Sequence, residues 1–240
     1  MAARKVNKTK LFAAGLLAAF FAILLYQFGL FVMVLWLSVR DPGSSAFMDA
    51  QLAELRQSEP GATLKYQWVP YERIGTPLKR AVIASEDANF TEHEGVEWDA
   101  IRKAWHYNRQ QAARGKAKVR GGSTITQQLA KNLFLSGSRT YWRKGQELVL
   151  TYMLEFTMSK ERILELYLNV AQWGTNVFGA EAAARHYFDV GAHNLNRQQA
   201  ARLAAMLPNP AYYDKHRNTS YLQSRTATIL KRMRQAEIPR

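Results

Sequence analysis

The chain has 240 residues, 48% of them hydrophobic, which supports one folded domain of ordinary size with a sizeable core. It contains no cysteine, and this absence excludes a disulfide scaffold. The formal net charge of +14 at pH 7 favours an anionic partner, either a lipid surface with a phosphorylated lipid or nucleic acid.

An uncharged stretch of 29 residues lies between Lys10 and Arg40. Because a helix of about 20 apolar residues crosses the hydrocarbon core of a bilayer, residues 11–39 are predicted to form a transmembrane signal anchor. A cleavable signal peptide is the alternative, but its apolar region is typically only about 7–15 residues long. Basic residues without acids precede the span, which predicts a cytoplasmic tail over residues 1–10 and an extracytoplasmic remainder. This location argues against nucleic acid as a partner.

Hydrophobic periodicity in the rest of the chain predicts helices and no strongly alternating strand. Residues 40–70 are expected to form a linker and membrane-proximal segment, and residues 71–240 the main folded domain. The predicted helices cover residues 51–59, 78–86, 100–113, 124–135, 141–158, 160–170, 180–187, 198–207 and 221–235, with Asp99 as the N-cap of the third. A short extended piece is expected over 62–69 and a turn over 174–179. The predicted fold class is therefore mainly α.

Charge is segregated along the chain. Residues 86–99 hold six acids, whereas residues 100–146 hold none and carry eleven bases. A solvated basic face is the common explanation of such a run. Because these bases lie on several elements, folding is expected to gather them into a cationic field bounded by Glu86 and Glu147. A cationic cleft beside carboxylates suits a reaction whose leaving group is a phosphate.

Carboxylates are the best candidates for catalysis, because the motifs of several other enzyme classes are absent. His93 and His106 lack the HExxH spacing of a zinc site, and there is no Walker loop, GxSxG elbow or SxxK motif. Glu86 ends an apolar helix, where partial burial suits a general base, although a surface acid explains it too. Glu147 lies four residues after Arg143, so an exposed ion pair is its plainer interpretation.

A polar run precedes and opens the helix predicted after residue 123. Thr124 and Gln127 have the spacing of a capping box, which satisfies backbone N–H groups at a helix start. Capping does not involve Gln128 or Lys131, which share a face, and a helix N-terminus favours a phosphate. The preceding Gly121-Gly122 pair allows the backbone to approach a neighbour closely. This helix end is therefore expected to bind an anionic group.

Five short motifs follow one another between residues 81 and 210. They are Glu86-Asp87-x-x-Phe90-x-x-His93-x-Gly95, Gly121-Gly122-Ser123-Thr124-Ile125-Thr126-Gln127-Gln128, Arg143-Lys144-x-x-Glu147, Lys160-x-x-Ile163-Leu164-Glu165-x-Tyr167-Leu168-Asn169 and Ala204-Ala205-Met206-Leu207-Pro208-Asn209-Pro210. In this order they resemble the motifs of the peptidoglycan glycosyltransferases, glycosyltransferase family 51. Two departures are small: Gln172 stands where relatives often have an acid, and Asp189 stands where a glycine is common.

The resemblance implies a lysozyme-like glycosyltransferase domain with a small membrane-proximal jaw over about residues 100–122. It also implies polymerisation of lipid II into glycan strands, by a monofunctional enzyme since the chain ends without a transpeptidase domain. Glu86 would remove the proton from the 4-hydroxyl of the acceptor lipid II sugar. That oxygen would attack the anomeric carbon of the growing chain, invert it and expel undecaprenyl diphosphate. Glu147 would orient the surrounding cations or help to hold a divalent ion.

The resemblance assigns further residues and partners. The residues that would bind the donor diphosphate are Ser123, Gln128, Lys131, Arg139 and Arg143. The residues that would support the site are Asp87, Phe90, His93, Thr124, Gln127, Lys144, Glu165 and Asn169. No cofactor is required by the sequence, but Mg²⁺ or Mn²⁺ at the diphosphate would lie near Glu147. The expected partners are lipid II, the undecaprenyl diphosphate-linked glycan and the inner membrane, with cell-division or elongation proteins as candidate protein partners and no nucleic acid.

Two other functions fit part of the sequence. A lysozyme-like hydrolase or a lytic transglycosylase would also use a carboxylate in an α-helical cleft. Such an enzyme protonates a sugar leaving group and gains nothing from Lys131 and Arg139. A basic, membrane-anchored scaffold without enzymatic activity would account for the charge, but it would not need Glu86.

Overall fold

The first of two compact units in the chain, Met1–Arg40, contains one long apolar helix. The structure, a computed structural model, describes residues 8–115, 121–135 and 140–239. Helix α1 (Lys8–Val39) has 32 residues, which at about 1.5 Å per residue span about 48 Å. Most of its large side chains are exposed, among them Phe12 at 71% and Leu25 at 73%. This helix has the length and composition to cross a membrane.

The second unit, Asp41–Arg240, is mainly helical, which confirms the predicted fold class. Its helices are α2 (Ala46–Ser58), α3 (Thr76–Glu86), α4 (Trp98–Ala113), α5 (Ile125–Phe134), α6 (Tyr141–Thr157), α7 (Lys160–Val170), α8 (Ala180–Phe188), α9 (Arg197–Met206), α10 (Pro210–Lys215) and α11 (Ser220–Arg232). Helices α3, α9 and α11 pack together, and α5 packs against α6 and α7. Leu78, Ile83, Leu129, Leu164 and Leu203 lie on these helices and are fully buried, so the core runs through both groups.

Two short strands pair in parallel within this helical unit. Strand β1 (Lys65–Tyr66) pairs with β2 (Val177–Phe178), with Lys65 opposite Val177 and Tyr66 opposite Phe178. The prediction of a turn over 174–179 is therefore wrong at its last residues. Two residues are too few to show the alternation by which a strand is recognised in a sequence.

Several helix starts differ from the prediction, and helix α2 begins at Ala46 instead of residue 51. Helix α4 begins at Trp98 with Glu97 as its N-cap, so the prediction of Asp99 as the cap is wrong. Asp99 lies instead in the first turn, where it pairs with Arg102 three residues later. Helix α10 was not predicted at all, although Pro210 occupies its first position, where the missing N–H costs no helical hydrogen bond.

The predicted jaw over about 100–122 is not distinguished as a separate body, because residues 41–240 form one unit. Its residues 116–120 lie outside the described residues. Gly122 packs against the start of α4, where a Cβ would lie 3.2 Å from Ile101 Cα and 3.4 Å from Ala100 O. The sequence predicted that the Gly121-Gly122 pair approaches a neighbour closely. Gly122 does so, and the neighbour is the backbone of α4. The lysozyme-like description and the limits at residues 40 and 70 stay predictions.

Candidate active site

The N-terminus of α5 is closed by the predicted capping box. Thr124 Oγ1 accepts from the Gln127 N–H at 3.2 Å, and Gln127 Oε1 accepts from the Thr124 N–H at 3.1 Å. Both residues are buried, at 2% exposure each. Thr124 also donates its hydroxyl to the carbonyl of Gly95 at 2.6 Å, which joins the helix start to the loop after α3. The capping box is confirmed, and the side chains of Thr124 and Gln127 form their hydrogen bonds within the protein.

Asp87 fastens the end of α3 to the start of α5. Its Oδ2 accepts from the Ile125 N–H at 3.0 Å, and its Oδ1 lies 2.9 Å from His93 Nε2. Because His93 Nδ1 accepts from the Gly95 N–H at 3.1 Å, the ring proton resides on Nε2 and points at Asp87. A carboxylate at this position also complements the positive end of the α5 dipole. Phe90, fully buried in the same loop, completes this support.

Glu86 is the last residue of α3, and its side chain is 12% exposed. Its Oε2 accepts from Gln128 Nε2 at 3.1 Å, and its Oε1 accepts from the Ser85 hydroxyl at 2.9 Å. Arg225, on α11, brings a guanidinium nitrogen to 3.8 Å from the same Oε1. The carboxylate is thus largely removed from water and held at both oxygens. Each oxygen keeps a further lone pair with which it can accept a proton.

Three of the residues predicted to bind a diphosphate lie on α5 or directly before it. Gln128 belongs to the first turn of α5, and Tyr167, on α7, donates its hydroxyl to Gln128 Oε1 at 3.0 Å. Lys131 lies one turn further along, with Nζ 6.0 Å from the centre of the Phe47 ring. Ser123 directly precedes the N-cap and is exposed. Arg139 falls outside the described residues, so its predicted role remains a prediction.

Glu147 is buried at 5% exposure on α6 and forms an ion pair with Lys144, three residues earlier. The Lys144 ammonium also lies 3.5 Å from Ser123 Oγ, at the start of α5. The sequence suggested that Glu147 takes part in an exposed ion pair, whereas Glu147 is buried, and Lys144 is a partner that the sequence analysis did not name. Arg143 is half-exposed near the start of α6, and Thr140 caps this helix through the Arg143 N–H at 3.2 Å. Glu147 is therefore connected through Lys144 to the segment that precedes α5.

A second polar cluster, missed in the sequence, supports the first. Glu155 Oε1 accepts from Thr126 Oγ1 at 2.5 Å and from Lys160 Nζ at 2.8 Å. The Lys160 ammonium also donates to the carbonyl of His93 at 2.5 Å and lies 4.8 Å from the centre of the Phe90 ring. Glu155 lies on α6 eight residues after Glu147 and belongs to none of the quoted motifs. No feature of its local sequence distinguishes it from other acids.

Glu165 and Asn169 lie on α7 and fix the chain that leads into α3. Asn169 exchanges two hydrogen bonds with the backbone of Val69, at 3.0 and 2.9 Å. Glu165 accepts from the Tyr71 N–H at 2.9 Å and from Arg162 at 2.6 Å. Both residues thus act on the path of the backbone, in keeping with a supporting position.

The arrangement places one partly buried carboxylate, Glu86, beside a helix N-terminus and the guanidinium of Arg225. Such a site can remove a proton from a hydroxyl and stabilise an anionic leaving group. Among the described residues, no group of three or more His, Asp or Glu side chains could hold a metal ion by itself. The family resemblance implies that Glu147 lies near a diphosphate, which stays a prediction, and Mg²⁺ commonly uses one or two carboxylates together with substrate phosphates.

Comparison with known proteins identifies the family of the chain. Residues 51–234 match the family model described as Transglycosylase. A biosynthetic peptidoglycan transglycosylase of Bordetella pertussis is 67% identical over 99% of this chain and 98% of the relative. The corresponding protein of Bordetella avium is 65% identical over the full length of both chains, and that of Methylobacillus flagellatus is 58% identical over 96% and 99%. The chain belongs to the transglycosylase family.

Proposed function

We propose that this protein is a peptidoglycan glycosyltransferase that polymerises lipid II, with Glu86 as its general base. Family membership and relatives described as biosynthetic peptidoglycan transglycosylases support this activity. The observation that carries the assignment is the Glu86 carboxylate, 12% exposed and bound at both oxygens, beside the N-terminus of α5. A base held in this way needs little reorganisation when a hydroxyl arrives.

In the proposed reaction, Glu86 takes the proton of the 4-hydroxyl of an acceptor lipid II sugar. The oxygen forms a bond to the anomeric carbon of the growing chain from the side opposite the leaving group. The bond from that carbon to undecaprenyl diphosphate breaks with inversion, and its electron pair leaves on the diphosphate. A positioned base contributes a factor of about 10²–10⁴, so stabilisation of the departing anion must supply much of the remaining acceleration.

The α5 N-terminus and its neighbours would receive that anion. Ser123 and the Lys144 ammonium lie beside it, and a helix N-terminus carries about half a positive charge. Gln128 donates one amide hydrogen to Glu86, and its second hydrogen can donate to a diphosphate oxygen. The roles of Lys131, Arg139 and Arg143 in this binding are proposed on the family resemblance.

A divalent cation is an optional part of the proposal. Mg²⁺ or Mn²⁺ bound to the diphosphate would use Glu147 as its protein ligand and would neutralise charge on the leaving group. Binding of the ion would require Glu147 to exchange its partner Lys144 for the metal. Chelation of divalent cations during the assay, followed by addition of Mg²⁺ or Mn²⁺, measures this contribution directly.

The proposed location is the inner membrane, with α1 as a single-pass anchor and the N-terminus in the cytoplasm. The basic residues before the span and the apolar length of Lys8–Val39 support this orientation. The catalytic unit would then lie on the periplasmic face, where its lipid-linked substrate is available. Cell-division or elongation proteins are the protein partners that this location suggests.

The test compares Glu86→Gln with Glu94→Gln, an exposed acid in the same loop. Full-length enzyme in detergent is given lipid II, and the glycan product and its length are measured. Loss of the base should lower the rate at least about 100-fold in Glu86→Gln, whereas Glu94→Gln should remain within about twofold of the parent. A Glu86→Gln variant with near-normal polymerisation would favour the scaffold, and degradation of finished glycan by the parent would favour the hydrolase.

A further inference from the structure

The geometry points to Tyr167 and Arg225 as positioning residues that hold the Glu86 carboxylate in its catalytic orientation through Gln128 and Ser85. Neither residue bonds directly to the base at hydrogen-bond distance. Each instead orients the side chain that does so. This inference rests on the proposed role of Glu86 as general base.

The first relay reaches Glu86 from α7. Tyr167 is 1% exposed, and its hydroxyl lies 3.0 Å from Gln128 Oε1. Burial raises the pKa of the Tyr167 phenol well above 10, with the charges of Glu86 and Asp87 adding to this effect, so the hydroxyl keeps its proton and donates. A donor facing the amide oxygen turns the amide nitrogen toward Glu86 Oε2, at 3.1 Å. Without this donor, either end of the amide could face the carboxylate.

The second relay reaches the other oxygen of Glu86 from α11. Arg225 donates to Ser85 Oγ at 3.1 Å, so the serine oxygen acts as acceptor on that side. The Ser85 hydroxyl lies 2.9 Å from Glu86 Oε1 and 3.3 Å from the carbonyl of Ala204, and the shorter contact is the one to the carboxylate. The Arg225 guanidinium itself lies 3.8 Å from Glu86 Oε1. Arg225 thus contributes both a donor to Ser85 and a nearby positive charge.

The position of Arg225 carries a free-energy cost that a role at this site would explain. Its Nε is buried and has no hydrogen-bond partner within the part of the chain that the structure describes. Burying a donor without a partner is unfavourable, and such groups are often retained at functional sites. Together the two relays restrain the carboxylate at its two oxygens and leave its remaining lone pairs for the acceptor hydroxyl. A base held in one orientation enters the reaction without an ordering cost at the moment of proton transfer.

Tyr167→Phe tests the first relay because it deletes one oxygen and preserves the packed ring. Loss of one orienting hydrogen bond should lower kcat by roughly tenfold and leave KM within about twofold, since the substrate still binds. Tyr71→Phe is the matched control: Tyr71 is also buried, and its hydroxyl donates to the Pro239 carbonyl at 3.0 Å. This control should lose a similar hydrogen bond and keep its kcat.

A background substitution separates positioning from a general structural effect. In a Gln128→Ala enzyme, Tyr167→Phe should lower kcat by less than about twofold further, because its effect passes through Gln128. Equal losses in both backgrounds would overturn the relay. A rise in KM with unchanged kcat would overturn it as well, because Tyr167 would then serve substrate binding.

Arg225 provides an independent test, and its partly exposed side chain tolerates replacement more readily than the buried Tyr167. Arg225→Gln should lower kcat by roughly tenfold, and Arg225→Lys, which keeps the charge, should restore part of the loss. In a Ser85→Ala background, Arg225→Gln should lower kcat by less than in the parent, because only the nearby charge is then lost. If Tyr167→Phe does not fold, this series decides alone. Failure of the parent enzyme to polymerise lipid II would remove the proposed function. An active parent with an inactive Glu86→Gln and normal Tyr167 and Arg225 variants would remove only this inference.

Discussion

Asp87→Asn should destabilise the protein more than any exposed acid replacement, because two donors converge on this carboxylate. The Ile125 N–H and the His93 Nε2–H lie 3.0 and 2.9 Å from its two oxygens, and the side chain is 1% exposed. An amide offers only one acceptor oxygen. One of the two donors would therefore face an NH₂ group. The imidazole cannot reverse its tautomer without cost, because its Nδ1 accepts from the Gly95 N–H.

The magnitude follows from these contacts. A hydrogen bond to a charged group contributes about 1.5–3 kcal/mol, and a buried donor left without a partner costs about 1–3 kcal/mol. Loss of the negative charge at the α5 N-terminus adds about 0.3–1 kcal/mol. We expect a total of about 3–7 kcal/mol, a large part of the 5–15 kcal/mol by which domains are typically stable.

The assay is denaturant unfolding of the full chain in detergent, followed by tryptophan fluorescence. Asp49→Asn is the matched control, because Asp49 also lies in the first turn of a helix, accepts from Ser44 at 2.7 Å and is exposed. The control should lose less than about 1 kcal/mol. If Asp87→Asn costs no more than Asp49→Asn, the fastening of α3 to α5 through Asp87 is refuted.

Two further predictions concern the region around α8. Burial raises the pKa of the Asp214 carboxyl, but hydrogen bonds from the Thr175 N–H, His186 and Tyr187 outweigh it and lower the pKa to about 2. The contribution of Asp214 to stability is therefore fully present above its unfolded-state pKa of about 3.9 and disappears as the pH falls toward 2. Asp214→Asn should lower the free energy of unfolding by about 1–2 kcal/mol at pH 7, after allowance for solvent screening. Unfolding titrations should show a progressively smaller loss below pH 4. Asp189 ends α8 in the left-handed region, at φ 54°. Asp189→Gly should remove this backbone strain and raise the free energy of unfolding by about 0.5–1 kcal/mol. An unchanged or lower thermal midpoint would contradict this prediction.

Local sequence was sufficient where one element contains the whole interaction. The Thr124–Gln127 capping box spans four residues, so its spacing alone predicted both hydrogen bonds. The position of Glu86 at the end of an apolar helix was predictable for the same reason. The ion-pair partner of Glu147 was harder to predict, because residues at i,i+3 and at i,i+4 share a helix face. Lys144 and Arg143 both met that condition, and only the folded structure identifies Lys144 as an ion-pair partner of Glu147.

Contacts across the fold were not predictable in this way. Arg225 lies 140 residues from Ser85 along the chain, and nothing in the sequence of α11 marks it as part of the site. Tyr167 belongs to a quoted motif, yet its bond to Gln128 depends on the packing of α7 against α5. At Gly122 the sequence predicted a close approach to a neighbour but not the identity of that neighbour, which is the backbone of α4. Periodicity describes the face of a helix and not the element that covers it.

The charge pattern acquires a clearer physical meaning once these contacts are known. Two carboxylates beside a proposed diphosphate site would repel the substrate if they were unpaired. Glu147 has Lys144 as its ion-pair partner, and Glu86 has the Arg225 guanidinium at 3.8 Å, so each negative charge is accompanied by a positive one. The acid-free stretch from 100 to 146 adds further positive charge, although Arg102 and Lys144 within it pair with the acids Asp99 and Glu147 that lie just outside it. A base and an anion-binding surface can therefore coexist here. The cation near Glu86 is Arg225, which lies on α11 outside the acid-free stretch, and the cation near Glu147 is its ion-pair partner Lys144.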